Sequence, residues 1–361
     1  MTDNRQPRQQ SVSAAAQSHG ADALLVTHLP NIRWLTGFSG SAAVLLLAPD
    51  RTALITDFRY ANQAPEEAGG AADVIIDRVS VWERLQRILR EATFETLAIE
   101  AHVTSIRDAE RIGGMFRGRV LPLTDTVEEL RQVKDAGEVA AIRAAGALAS
   151  EALTEILPTI RAGERELDVA ARLESALRRR GSQWHPFQTI VASGPRAALP
   201  HARSSARQIK RGELLLIDYG AQVGGYCSDV TRTMAIGEAD ERQRAVYQLV
   251  RDAQCRACQG LRGGMPGREG DALARDLIAA HGYGDAFGHS LGHGLGLEVH
   301  EAPRLAATAD ALLPVGAVVT VEPGIYLAGW GGVRLEDDLW LGPEGPALLT
   351  DGQTDFTILD A

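Results

Sequence analysis

Two stretches of this chain carry apolar, β-forming residues straight into a carboxylate: Leu214-Leu-Leu-Ile-Asp218-Tyr-Gly and Val318-Val-Thr-Val-Glu322-Pro-Gly. Each reads as a buried strand closed by turn residues. Each is followed by a glycine-rich turn and another acid, Asp229 in the first case and Glu336 in the second. The repetition is weak, but it predicts two related halves within one domain.

If Leu214 to Gln222 and Tyr226 to Thr233 form a hairpin about Val223-Gly224, Asp218 and Asp229 stand directly opposite on one face. In the second segment Glu322 and Glu336 are equidistant from Gly329, inside the turn Leu327 to Gly332. Opposed acids destabilise a sheet unless something positive sits between them. A single strand-borne acid is ordinarily a solvated edge charge; four in two matching hairpins are better explained by a metal. Of nine histidines, His281, His289, His293 and His300 cluster between the two hairpins. Carboxylate oxygens with one imidazole suit Mn²⁺, Co²⁺, Fe²⁺ or Zn²⁺, and bridging carboxylates suit two ions.

The length of 361 residues admits two domains, at roughly 150 residues each. Ala23 to Val26, Ala43 to Leu47 and Ala53 to Ile55 read as strands, Val81 to Ala92 as a helix and Thr96 to Ile99 as a strand again. That alternation predicts a small α/β domain over residues 1–125. Helical spacing then runs through Val127, Leu130 and Val133 to Ile156, with the charged run Arg131 to Glu138 as the junction. Two more helices are predicted, around Leu167 to Leu177 (stopped by Gly181) and from Glu241 to Leu261 behind the cap Asp240. The fold class is therefore α/β (α+β), with residues 126–361 as the second domain.

Lys plus Arg is 37 against 47 Asp plus Glu, a net charge of −10. Such a surface repels nucleic acid and anionic membrane, so neither is an expected partner. The longest apolar stretch, Ala42 to Pro49, is too short to span a bilayer. Lysine occurs only at Lys134 and Lys210, so there is no P-loop. Cys227, Cys255 and Cys258 make no disulfide framework and fit a reducing compartment. Met1 to Gln10 is polar with no apolar run behind it, and a cytoplasmic location is expected.

Several segments together resemble the "pita-bread" metallopeptidases: Ala192-Ser-Gly-Pro-Arg-Ala-Ala-Leu-Pro-His201, Ile217-Asp218-Tyr-Gly, Gly225-Tyr-Cys-Ser-Asp229-Val-Thr-Arg-Thr, His289-Ser-Leu-Gly-His293-Gly-Leu-Gly-Leu-Glu-Val-His300-Glu, Val321-Glu322-Pro-Gly-Ile-Tyr and Gly332-Val-Arg-Leu-Glu336-Asp-Asp. Within that family the likeness is to the Xaa-Pro branch, prolidase and aminopeptidase P, more than to methionine aminopeptidase. It covers Glu138 to Asp338, and Asn31 to Gly40 with Thr56 to Tyr60 resemble that branch's N-terminal domain.

The resemblance implies a dinuclear site. Asp218, Asp229 and Glu336 would hold one metal, and Asp229, His293, Glu322 and Glu336 the other, with manganese the first expectation and Co, Zn or Fe the alternatives. Glu322 would act as general base on a water activated by the ions. His201, His289 and His300 would line the pocket and stabilise the oxyanion, with Arg334 orienting substrate or ligands. Strand alternation puts Arg334 on the face of Glu336, and Thr231 on the face of Asp229. The implied substrate is a small peptide with proline in second position, and the implied assembly a homodimer. A dipeptide's free carboxylate wants a cation; Arg203 and Arg59 are candidates, which leans the reading to a dipeptidase, with an aminopeptidase on longer peptides as the alternative.

Rival readings exist. Gly288-His289-Ser290-Leu291-Gly292 matches the G-x-S-x-G nucleophile elbow, but no histidine lies far enough downstream to complete a triad. His300-Glu301-Ala-Pro-Arg304 lacks the second histidine of a zincin helix. Cys255-Arg-Ala-Cys258 stands alone as a C-x-x-C and is expected on a helix surface. Cys227 shares the parity of Asp229 yet reads as a small buried residue. Arg178 to Arg180 reads as a solvated helix end, and Trp184 and His185 as either packing or substrate contact. A metal-free creatinase-like hydrolase or an inactive binding protein on the same fold remain the other functional classes.

Overall fold

Six short strands build the sheet of the N-terminal part: β1 (Ala23–Val26), β2 (Ala43–Ala48), β3 (Arg51–Asp57), β4 (Asp73–Asp77), β5 (Thr96–Glu100) and β6 (Arg119–Leu123), in the order β4-β3-β2-β1-β5-β6. β1, β5 and β6 run parallel to one another, whereas β1, β2 and β3 form an antiparallel meander. The helix Val81–Arg90 is capped by Ser80, whose hydroxyl accepts from Glu83 N, and buries Leu85 and Leu89 against this sheet. Fully burying two leucines is worth about 1.5–3 kcal/mol each. The computed structural model describes residues 3–350 and 355–360, and falls into two units, Met1–Arg131 and Gln132–Ala361. The chain therefore divides inside the charged run, later than residue 125.

The helical periodicity through Val133 is interrupted. A short helix, Glu128–Arg131, ends before Val133, which bridges to Ala317. The long helix Ala136–Ile156 starts afresh behind Asp135. Asp135 accepts from Glu138 N while Glu138 bonds Asp135 N, a capping box that begins a new helix instead of extending the old one.

In the C-terminal unit the two halves expected from the repeat are present. Helices Ala136–Ile156 and Glu166–Arg179 cover a sheet of β7 (Ile190–Ser193), β8 (Leu214–Tyr219) and, after the small ribbon β9 (Gln222–Val223) and β10 (Tyr226–Cys227), β11 (Val230–Ile236). Helices Glu241–Gly260 and Gly267–Ala280 cover a second sheet containing β12 (Gly292–Gly294), β13 (Glu301–Leu305) and β14 (Val318–Val321). After the ribbon β15 (Gly324–Leu327) and β16 (Gly331–Arg334), β17 (Asp337–Gly342) returns to that sheet.

Alternation within these strands sorts core from site. Leu215, Ile217 and Tyr219 of β8 and Val230, Met234 and Ile236 of β11 face the first helix pair. Val319, Val321, Val333, Leu335, Leu339 and Leu341 face the second. The intervening residues, Asp218, Thr231, Thr320, Arg334, Glu336 and Asp338, share the opposite parity. Each half thus buries one apolar face under helices and turns its polar face to the other half.

The first hairpin differs from its sequence reading by two residues. Asp218 pairs with Thr231, because the tight turn is Gly224-Gly225, at φ 59° and 86°, a conformation glycine adopts without strain. Asp218 and Asp229 remain on one face, diagonal and not opposed. In the second segment the register holds: β14 pairs with β17 and β15 with β16 so that Glu322 and Glu336 fall opposite each other. Arg232 joins the halves, bonding Asp337 at 2.6 Å and the Glu336 carbonyl at 2.6 Å. Cys258 packs against the core of the second half and is not a surface residue, whereas Cys227 is buried as expected.

Candidate metal centre

Asp218, Asp229, His293, Glu322 and Glu336 all line one cavity of about 900 Å³ between the halves. Asp229, His293 and Glu336 each bring a ligand atom within 4.8 Å of the others. His293 Nε2 lies 3.5 Å from Glu322 Oε1 and 3.9 Å from Asp229 Oδ2. The ring's Nδ1 faces the Gly294 carbonyl at 3.0 Å and so carries the proton. That tautomer leaves the Nε2 lone pair toward the carboxylates, as a metal-ligating histidine requires.

Four carboxylates this close are frustrated. Burial first, and then the charge of Glu336, push Asp229 and Glu322 well above the usual carboxylate range. Glu336 is pushed up to about 7 by burial and Asp218. Asp218 also rises through burial, although Arg334 opposes the shift. Oδ1 of Asp218 and of Asp229 are buried without a hydrogen-bond partner. A buried carboxylate oxygen left so costs several kcal/mol unless a cation meets it. Carboxylate oxygens with one imidazole nitrogen are the donor set of a divalent metal, so the residues fit such ions.

Around these ligands lies a supporting layer. Thr231 donates to Glu336 Oε2 at 2.5 Å and Thr320 to Glu322 Oε1 at 3.3 Å. Asp338 Oδ2 accepts from Asp229 N at 3.1 Å. Arg334 reaches Asp218 at 2.5 Å, Thr231 Oγ1 at 3.0 Å and the Tyr326 hydroxyl at 3.0 Å. Tyr326 passes the connection to His289 Nε2 at 2.9 Å.

His201, His289 and His300 line the cavity. His289 bonds the Ser290 carbonyl through Nδ1 and the Tyr326 hydroxyl through Nε2. The His300 ring stands edge-on to His293, centroids 4.4 Å apart. Arg203 and Arg304 both line the cavity. Arg59 is held by Asp57 at 2.8 Å within the N-terminal unit. Trp184 and His185 stack on each other and are not among the cavity's lining residues. His281 bonds the Leu277 carbonyl at a helix end. Sequence reasoning missed Tyr326, Asp338, Thr320 and Arg304. Parity alone marks the first three, since Thr320, Glu322 and Tyr326 on one run and Arg334, Glu336 and Asp338 on its partner share one face.

Residues 140–343 match the family model for metallopeptidase family M24, and residues 8–133 that for the creatinase/prolidase N-terminal domain. The chain is 34% identical to the Xaa-Pro dipeptidase of Pyrococcus furiosus over 91% of its length and 93% of that protein's. Its fold matches an Xaa-Pro dipeptidase from Bacillus anthracis with a TM-score of 0.96 at 37% identity, covering 99% of this chain and 100% of that one. It also matches an X-Pro aminopeptidase from Thermotoga maritima with a TM-score of 0.90 at 36% identity, over 97% and 99% of the two chains.

Proposed function

This chain belongs to metallopeptidase family M24, and from that premise we propose that it is a metal-dependent Xaa-Pro dipeptidase, hydrolysing the imide bond before proline. The observation that carries the reading is the convergence of Asp218, Asp229, His293, Glu322 and Glu336 on one cavity, with two buried carboxylate oxygens unsatisfied. Asp218, Asp229 and Glu336 would hold one ion, and His293 and Glu322, with Asp229 and Glu336, the other. Bound there, divalent ions supply Lewis acidity that polarises the scissile carbonyl and makes water a nucleophile near neutral pH.

The chain's own groups do the rest. Glu322 takes the proton of the attacking water and returns it to the prolyl nitrogen, which has no hydrogen of its own and must be protonated to leave. His201 and His300 donate toward the oxyanion that develops on the carbonyl oxygen. Arg334 fixes the Asp218 carboxylate through a charge-assisted bond and is itself held by Tyr326. Arg203 and Arg304 supply cations for the substrate's terminal carboxylate, which favours a dipeptide over a longer chain.

Manganese is the proposed ion, supported by the oxygen-rich donor set. Reconstitution of chelator-stripped protein with Mn²⁺, Co²⁺, Zn²⁺ or Fe²⁺ ranks the candidates. A homodimer in the cytoplasm completes the proposal, supported by the exposed apolar side chains Phe58 (64%) and Val79 (82%) and by three free cysteines. Light scattering measures the first. Cleavage of Ala-Pro and of a longer Ala-Pro-peptide, compared by kcat/KM, tests the specificity. The dipeptide is expected to be preferred at least tenfold; equal or better cleavage of the longer peptide overturns the dipeptidase reading in favour of an aminopeptidase.

A further inference from the structure

The N-terminal unit holds a second group of potentially metal-ligating side chains, none of them a residue of the peptidase cavity. It lies beyond the carboxyl ends of β1, β5 and β6, three adjacent parallel strands. That edge of an α/β sheet is where such folds ordinarily place ligands. His28 follows β1, His102 follows β5 and Glu128 follows β6. Each contributes one ligand atom, and the three atoms lie within 4.8 Å of one another. Glu128 Oε1 is 3.0 Å from His102 Nε2 and 3.6 Å from His28 Nδ1. Its other oxygen, Oε2, is buried without a hydrogen-bond partner.

The surroundings hold these side chains in place. Glu100 accepts from the backbone N of Thr27 at 2.6 Å and of His28 at 2.9 Å, pinning the loop that carries His28. Asn31 donates to Glu100 at 2.7 Å and to Glu128 Oε1 at 2.5 Å, and accepts from Arg131 at 2.7 Å. Asp125 Oδ1 approaches Nδ1 of His102 at 3.9 Å, on the ring nitrogen away from Glu128. A carboxylate behind a ligating histidine is the arrangement that orients such ligands and raises their basicity. Glu100, Asp125 and Glu128 bring three negative charges against the one of Arg131, so the local field favours a cation. Two imidazoles with a carboxylate suit a borderline ion such as Zn²⁺ over Mg²⁺ or Ca²⁺.

We propose that His28, His102 and Glu128 form a further divalent transition-metal site, which ties the ends of β1 and β5 to the helix Glu128–Arg131. The proposal does not depend on the peptidase reading, because it uses none of the residues of the larger cavity.

Its test is metal content. The full-length protein, its peptidase ligands intact, is equilibrated with Zn²⁺ and its bound metal counted by mass spectrometry, beside His28→Ala, His102→Gln and a His293→Ala control. Wild type is expected to retain about one equivalent more Zn²⁺ than either His28→Ala or His102→Gln. With Co²⁺ as the probe, His293→Ala is expected to keep the visible d–d bands of a nitrogen-ligated site, and His102→Gln to lose part of the wild-type intensity. His102 is largely at the surface, and glutamine can still donate to Glu128, so this variant tests the site even where His28→Ala does not fold. Equal metal content in wild type and His102→Gln overturns the proposal and leaves a histidine–carboxylate hydrogen-bond cluster. Failure of the peptidase reading would appear separately, as unchanged metal content in His293→Ala.

Discussion

Tyr326 joins Arg334 to His289 within the supporting layer. Its hydroxyl accepts from Arg334 and donates to His289, linking a cavity wall to the guanidinium that anchors Asp218. Tyr326→Phe removes both bonds while keeping the ring, leaving buried Arg334 one acceptor short. Losing a buried bond to a charged group costs about 1.5–3 kcal/mol. The expected result is a kcat lowered by about tenfold to a hundredfold with the metal content unchanged; a kcat within twofold of wild type would show that Arg334 needs no such support. Glu322→Gln is expected to be more severe, abolishing turnover through loss of the proton carrier while the cavity stays formed, which single-turnover assays of the metal-loaded variant check. The resemblance named Arg334, and strand parity put it on the face of Glu336 and Thr231 on the face of Asp229. Tyr326 and Asp338 were not assigned, because parity names a face and does not say which side chain on it reaches a given partner.

At the scale of elements, the strand that carries His293 shows why glycine brackets it. A Cβ on Gly292 would stand 2.0 Å from the Thr320 carbonyl, and one on Gly294 would stand 2.0 Å from that of Ala302. Only glycine lets β12 lie this close to β14 and β13, and that approach sets His293 beside Glu322. Gly292→Ala is expected to destabilise the protein by about 1–3 kcal/mol, the usual cost of overpacking, and to reduce activity more than Tyr326→Phe does. Paired denaturation and kcat measurements check both. The hairpins show where element-level reading succeeds and stops. In the second, symmetry about the turn placed Glu322 opposite Glu336, as found. In the first, two adjacent glycines moved the turn by one residue, shifting the register by two. Since side-chain direction alternates with period two, the shift kept both acids on one face. The break before Asp135 was misread as continuous helix because apolar spacing persists through a segment that the capping box excludes from the helix.

For the whole molecule, stability is tied to the ions through the cavity's charges. In metal-free protein Asp229, Glu322 and Glu336 have raised proton affinity, with Glu336 at about 7. A carboxyl with a raised folded value contributes stability at low pH that is lost as pH rises through that value. His289 and His293, lowered to about 4 by burial, act in the opposite sense. Their contribution is lost as pH falls from the ordinary histidine value toward about 4. Above about pH 6.5 only the carboxylates still titrate, so the metal-free protein is expected to lose Tm as pH rises from 6.5 to 8.5. Metal-loaded protein should show little of this loss, since bound cations take the place of the protons. Thermal melts with and without chelator across that range measure the difference; parallel curves would contradict the coupling. By itself, the amino-acid sequence determined the two-domain α/β plan and the paired hairpins with their acids, because these follow from local periodicity and from residue types at fixed spacing. Only the tertiary structure decided that His289 bonds Tyr326, that Arg334 anchors Asp218, and that His28, His102 and Glu128 meet at one end of a sheet. Those contacts join residues far apart in the chain, and whether two side chains face each other across separate strands depends on register, twist and packing, which no local pattern specifies.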